Sequence, residues 1–412
     1  MANESSTKRT LLALPLLFLF IIPWLIPEAS DALLIPLIYS VVDDGKWTSP
    51  RGDILDLTEP RLHIKTLDDL IAPILSVFAP SMSGYDEIGR LQALTFFMDI
   101  GPFFVILMLE KMRGRFGGKA VLLYVHFCLC DFWRFLYHEP ALTNSKSPFT
   151  FALLSQVTGA GKIAGLLFFI DYLWAPLHSF PSNQSMAISK SAAISLPTAM
   201  LLVYYPLTLG SYLAPTLSDR AFVNAYWQIF PFLVVMVHSG IGSLIKYSDG
   251  TTQSQPQSTG PEPRPITEKS PSTPPDKYKL TGSEKADARP DLPYLTATIT
   301  FLSALSALSL NYVRFSVPQN STFLEIFLPI STGDVDRFSF LARRMLQYDQ
   351  IFWVLAGYYW LFLSTRDIRQ RGVSVPWWKV VVGLSLGTAT MGSGASFGLA
   401  WVLRERALGG CF

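Results

Sequence analysis

The stretch Leu91–Leu109 reads LQALTFFMDIGPFFVILML, nineteen residues with a single charge, Asp99. About twenty apolar residues, rising about 1.5 Å each, cross the hydrocarbon core of a bilayer. This stretch is therefore a transmembrane helix, and it decides the class of the chain. Comparable runs are Leu11–Pro27, Ala120–Leu136, Phe151–Pro176, Ala192–Leu213 and Ala221–Ile245, then Tyr294–Val313, Tyr348–Leu363 and Trp377–Leu403. The first follows Lys8 and Arg9 and contains Trp24, Pro15 and Pro23, with no small-residue cleavage site. It reads as a retained signal anchor. Tyr348–Leu363 is short and needs snorkelling flanks or a thinned bilayer.

Composition agrees. Of 412 residues, 50% are hydrophobic and only 16% charged, where a soluble domain carries about 25% charged residues. The net charge of +2 offers nothing to a nucleic acid. The expectation is an all-α, polytopic transmembrane helix bundle of about 8–9 helices. Cys128, Cys130 and Cys411 make no disulfide framework and no zinc site. Between the first two runs, Leu33–Val42 and Leu70–Phe78 are too short to span and carry prolines, which makes them interfacial or re-entrant candidates.

Lysine and arginine set the orientation. Lys111, Arg113, Arg115 and Lys119 crowd one loop and Arg366, Arg369 and Arg371 another. Placing both in the cytosol fits nine spans with a lumenal C-terminus. Arg404 and Arg406 dissent, and one re-entrant run would return that end to the cytosol. Residues 247–292 are rich in Pro, Ser, Thr, Lys and Glu. They cannot bury enough apolar surface to offset the entropy of ordering, and read as a disordered cytosolic linker. Three parts follow: an N-terminal transmembrane bundle over 1–246, the linker over 247–292, and C-terminal transmembrane helices over 293–412. No internal repeat relates the two membrane parts, which counts against an inverted-repeat transporter.

Ionisable groups inside spans are costly and mark function. Asp99 is followed by Gly101-Pro102, which should kink the helix and open backbone groups toward a cavity. Its partner must lie on another helix, and it is the first candidate for a general acid. In YVHFCLCDFWRFLYHEP, residues 124–140, Asp131 and Arg134 are three apart on one helical face, and His138 extends that stripe. Asp131 is a partner or base and Arg134 orients it; the structural alternative is an Asp–Arg pair that glues helices together. Phe96, Phe97, Trp133 and Tyr137 are candidate cavity walls. Asp171 reads as solvated interface, Trp227 as an aromatic-belt residue, and His238 as a hydrogen-bonded structural histidine. Gly-Ala-Gly-Lys at 159–162 lacks the spacing and preceding strand of a phosphate loop. Glu325–Asp349 reads as a solvated lumenal connection. Within that region's approach, Asn320-Ser321-Thr322 is a glycosylation sequon.

The sequence has no HExxH, no histidine box, no Gly-x-Ser-x-Gly turn, no nucleotide loop and no haem motif. The expectation is no metal and no cofactor. Carboxyls and aromatics in a dry cavity suit acid-initiated cyclisation of an isoprenoid, with ring faces stabilising the developing cation. Transport is the alternative, with the carboxyls as relays. A third is a non-catalytic scaffold that binds partners through its linker.

The stretch from Trp47 through Glu110, with the segments Ser49-Pro-Arg-Gly-Asp-Ile-Leu-Asp-Leu-Thr-Glu-Pro-Arg61 and Phe96-Phe-Met-Asp-Ile-Gly-Pro-Phe-Phe104, carries a resemblance, as does the Pro-rich insert before the last spans. They resemble fungal membrane-bound terpene cyclases of ascochlorin- and ascofuranone-type meroterpenoid biosynthesis. The resemblance covers general organisation and these stretches, without a sharp catalytic motif. It implies cyclisation of a terminally epoxidised farnesyl chain on an aromatic polyketide, in the endoplasmic reticulum membrane. The partners it implies are a lipophilic isoprenoid–aromatic substrate, membrane lipid and other pathway enzymes.

Overall fold

A computed structural model describes residues 6–29, 32–113, 159–174, 187–252, 289–330, 335–369 and 375–409. These are mostly helical, with one small hairpin. Helix α1 spans Ser6–Leu25 and α2 Ile35–Asp43. Strands β1, Lys46–Thr48, and β2, Ile54–Asp56, pair antiparallel with Trp47 opposite Leu55. Both of those side chains are buried, and the hairpin fastens the loop to the bundle. Helix α3, Lys65–Ser83, runs on through Pro73 and Pro80 to a left-handed Gly84, the usual device for ending a helix. The two short runs expected at the interface are thus α2 and the middle of α3, and α3 is buried along its second half.

Helix α4, Glu87–Met112, contains the stretch that opened the sequence argument, and its apolar window is wholly buried. A helix that is apolar all round has no face for water and takes the centre of the bundle. It stays helical through Pro102. The carbonyl of Phe97, in the turn that Pro102 loosens, accepts from the Tyr204 hydroxyl.

Next come α5, Ala160–Trp174, and α6, Lys190–Ala199, which passes through a π-helical turn at Met200–Tyr204 into α7, Tyr205–Leu213. The run Ala221–Ile245 is divided at Ile229 between α8, Leu217–Gln228, and α9, Phe230–Thr252. Helix α8 starts at a capping box. Thr216 Oγ1 accepts from the Asp219 N–H at 3.1 Å, and Asp219 Oδ2 accepts from the Thr216 N–H at 3.3 Å. Thr216→Ala should cost about 1 kcal/mol, read as a lower unfolding midpoint in detergent.

Helix α10 spans Leu292–Ser316, α11 Phe323–Phe327 and α12 Arg337–Arg369. The last corrects the expected solvated connection over Glu325–Asp349. Asp336 Oδ1 accepts from the Phe338 and Ser339 N–H groups, and the helix that starts there buries Arg343 against Asp86 at 3.1 Å. The polar residues disguised a helical period whose apolar members, Phe338, Leu341, Leu346, Trp353 and Trp360, face the core. The run Trp377–Leu403 is also two helices, α13, Trp377–Met391, and α14, Ser393–Leu408, broken at Gly392 with φ +96°.

Among the described residues, five helical stretches are long and apolar enough to cross a bilayer, which makes this a membrane protein: Thr7–Leu25, Glu87–Glu110, Lys190–Leu213, Phe230–Ser248 and Leu292–Ser316. Residues on both sides of 247–292 share one core, since α4 packs on α10 and α14 and α1 packs on α12. At one end of the bundle, Glu405 accepts from Arg113 at 2.6 and 2.8 Å, Arg289 at 3.0 Å and Arg404 at 3.0 Å. Arg404 also donates to Glu110 at 2.5 Å. The end of α4, the start of α10 and the end of α14 therefore lie on one face. Arg404, a dissenting charge in the orientation argument, is neutralised inside this cluster.

Candidate functional site

Helices α2, α3, α4, α8 and α12 and the start of α5 line a half-open cavity of about 280 Å³. Its floor comes from α4, where Phe96, Phe97 and Ile100 fall on one face because positions 96 and 100 are a helical turn apart. Trp227 of α8 stacks on Phe97 with ring centroids 4.0 Å apart, and Phe78 of α3 meets Phe97 edge-on at 5.4 Å. The Trp227 indole N–H donates to Thr208 Oγ1 at 3.0 Å, which locks the ring. Apolar walls with a few placed polar groups are what small-molecule sites present. Here the polar side chains are those of Tyr39, Gln228, whose amide donates to Asn224 at 2.9 Å, and Asp349.

Asp349 is buried on α12. Its carboxylate accepts from the Ala160 N–H at 3.0 Å and from the Gly161 N–H at 2.6 Å, at the start of α5. A helix start carries unpaired N–H groups and partial positive charge, so it favours the anion. Asp349 was placed in a loop by the sequence reading. The signal that could have found it is the helical spacing from Leu346 through Trp353.

Of the residues singled out from sequence, Phe96 and Phe97 line this cavity. Asp99 does not. It points to another side of α4, buried in a nest where Ser306 Oγ donates to Oδ1 at 2.5 Å and Ser393 Oγ donates to Oδ2. Gly392 and Gly394 admit this approach: a Cβ at Gly394 would lie 2.9 Å from Asp99 Oδ1 and closer still to its backbone. The Gln350 amide adjoins the same carboxylate, and its oxygen accepts from Gln92 at 3.1 Å. The acid nest and the cavity thus flank α4, linked through the neighbours Asp349 and Gln350 of α12. Asp131, Trp133, Arg134 and Tyr137 lie outside the described residues, as do the three cysteines.

Two expectations are corrected, those for Asp171 and Trp227. Asp171 is buried and accepts from the Trp360 indole at 3.0 Å, because α12 covers it. Trp227 is a cavity wall rather than a belt residue. Lys162 is buried with its ammonium 5.4 Å from the Trp24 ring centroid. His238 behaves as expected, bonded through Nδ1 to Ser195 Oγ at 2.8 Å. Asn320 is exposed in a turn closed by the Ser321 N–H to the Pro318 carbonyl at 2.9 Å. No cluster of metal-ligating side chains occurs among the described residues.

These features define a membrane helix bundle built around an aromatic-walled cavity. The chain belongs to the CtvD domain family, which residues 141–408 match. Among curated proteins it is similar to the FAD-dependent monooxygenase anuJ of Penicillium roqueforti (strain FM164), 22% identical over 322 residues, or 77% of this chain and 32% of that one. It is also similar to the FAD-dependent monooxygenase verC1 of Penicillium polonicum, 22% identical over 411 residues, or 98% of this chain and 43% of that one. The chain thus spans less than half the length of either relative. No solved structure matches.

The relatives' name raises the question of FAD. Among the described residues, the glycine-flanked helix start at Gly159-Ala160-Gly161 is the feature closest to a pyrophosphate cradle, and Asp349 fills it with a carboxylate. A second anion there would meet like charge. FAD does not fit this helix start.

Proposed function

We propose that the chain is a membrane-bound terpene cyclase of fungal secondary metabolism, acting on an epoxidised farnesyl chain borne by an aromatic polyketide. The observation that supports it most is the aromatic cavity, with Phe78, Phe96, Phe97 and Trp227 around an apolar space and one carboxylate in its wall. A proton adds to the epoxide oxygen, the C–O bond breaks, and the electron pair of a chain alkene closes the ring. A proton is then lost to a base, so product and substrate have equal mass. Ring faces stabilise the developing cation, and a dry site prevents its capture by water. Asp99 is the proposed acid, Asp131 its partner or the base, and Arg134 the group that orients Asp131. Trp133 and Tyr137 are proposed as further walls. The relatives' name supports an oxygenated substrate, since monooxygenases install the kind of oxygen an epoxide carries.

The proposed setting is a multi-pass protein of the endoplasmic reticulum with about 8–9 spans. Residues 247–292 are then a cytosolic linker between the 1–246 and 293–412 parts. The shared face of Arg113, Arg289 and Glu405 becomes cytosolic with it, and glycosylated Asn320 lies across α10 in the lumen.

The test incubates microsomes from yeast expressing the chain with an epoxidised farnesyl-phenol. A cyclic isomer of unchanged mass, absent from vector controls, supports the cyclase. Recovery of linear epoxide or its diol alone, from folded protein, overturns it and favours transport or another substrate.

A further inference from the structure

We propose that the side chains of Asn224 and Gln228 form the part of the cavity that recognises a hydroxyl group at the head of an apolar ligand. This rests on the cyclase reading only in taking the cavity as the ligand site. Both residues belong to α8 and stand four apart, one above the other on one face. Both are buried, and Gln228 lies in the cavity wall. The Gln228 NH2 donates to Asn224 Oδ1 at 2.9 Å. That bond leaves the Gln228 oxygen as the acceptor of the pair and Asn224 Nδ2 as its donor. Among the described residues Asn224 Nδ2 has no hydrogen-bond partner. Turning both amides over reverses the roles, yet the pair still offers one donor and one acceptor.

Amides four apart on a helix often bond to each other, and on a wet face their remaining hydrogens go to water. Here both are withdrawn into an apolar wall, where a polar group without a partner is costly. A hydroxyl both donates and accepts, so it can donate to the Gln228 oxygen and accept from Asn224 Nδ2. An ether or ketone oxygen only accepts, and a hydrocarbon does neither. The ligand class is therefore an alcohol or phenol on an apolar chain. The surroundings suit a ring at that head. Trp227, between the two amides in sequence, stacks on Phe97 with centroids 4.0 Å apart, and Phe78 meets the same ring edge-on. Thr208 locks the indole through a 3.0 Å bond, so the wall beside the amides is fixed before a ligand arrives. The chain has Ile38, Ile74, Phe96 and Ile100 to lie against.

The test uses purified protein in zwitterionic-lipid nanodiscs and two probes of nearly one shape, a farnesyl-phenol and the farnesyl-benzene that lacks its hydroxyl. Calorimetry, with the heat of empty nanodiscs subtracted, should show the phenol binding at least about ten-fold tighter. Gln228→Met and Asn224→Leu keep roughly the size of each side chain and remove its amide. Either should bring the two affinities within about three-fold, while farnesyl-benzene stays within about two-fold of its value in the unmodified protein. Equal affinities in the unmodified protein, or binding of neither probe, overturn the proposal without any variant. A phenol preference that survives both variants overturns it as well. Because binding is read apart from turnover, a failed product assay beside a preference lost in Gln228→Met counts against the cyclase alone. A cyclic product with equal affinities counts against the amide pair alone.

Discussion

Glu405→Ala should lower the stability of the folded chain by about 3–5 kcal/mol, the cost of removing one partner from a buried ion cluster. Glu405 is 1% exposed and takes hydrogen bonds from three guanidinium groups, those of Arg113, Arg289 and Arg404. Alanine leaves these cations buried against Glu110 and Asp291 alone. It also unties the end of α14 from the end of α4 and the start of α10. Burial by itself would raise the Glu405 carboxyl, but Arg113, Arg404 and Arg289 outweigh it and hold it at about 2, against an ordinary 4.5. A carboxyl depressed on folding contributes stability above its unfolded value and loses it as pH falls through the folded one. The unfolding midpoint should therefore drop as pH falls from about 4.5 toward about 2, and Glu405→Gln should flatten that part of the curve. A midpoint in Glu405→Ala within about 1 °C of the unmodified protein would show that the cluster contributes nothing.

Asp99→Asn should lower turnover in the product assay by about 100-fold or more, the usual contribution of a positioned general acid. Asparagine has the same shape and keeps an oxygen for the Ser306 or Ser393 hydroxyl, so the bundle should survive. Thermal unfolding and gel filtration check that it does. The assignment has a geometric demand: the acid nest and the aromatic cavity lie on different sides of α4, so an epoxide must reach the Ser306–Ser393 side while its chain occupies the Phe97 side. Turnover unchanged in Asp99→Asn, with the fold intact, removes Asp99 as the acid. Asp349→Asn is the companion measurement. If it alone abolishes turnover, the cavity carboxylate holds the role.

Membrane character was legible in the chain, because the cost of burying charge in hydrocarbon writes itself into local composition. Leu91–Leu109 is long and apolar enough to cross a bilayer, and it falls inside one such helix, α4. Helix ends at ordinary caps were legible too, as at Thr216 and Asp219. Tertiary structure decided the rest. Hydropathy sums over a window and passes across a single backbone break, so the joins at Ile229 and Gly392 were hidden. It also rejects a helix whose charges are satisfied by distant partners, and Arg343 and Asp349 made the first part of α12, before Tyr348–Leu363, look like a loop. Their partners, Asp86 and the start of α5, lie 257 and 188 residues away. The rotation of α4 was likewise invisible. Asp99 and Phe97 are two residues apart, and only packing against α10, α14 and α8 turns one into a serine nest and the other into the cavity.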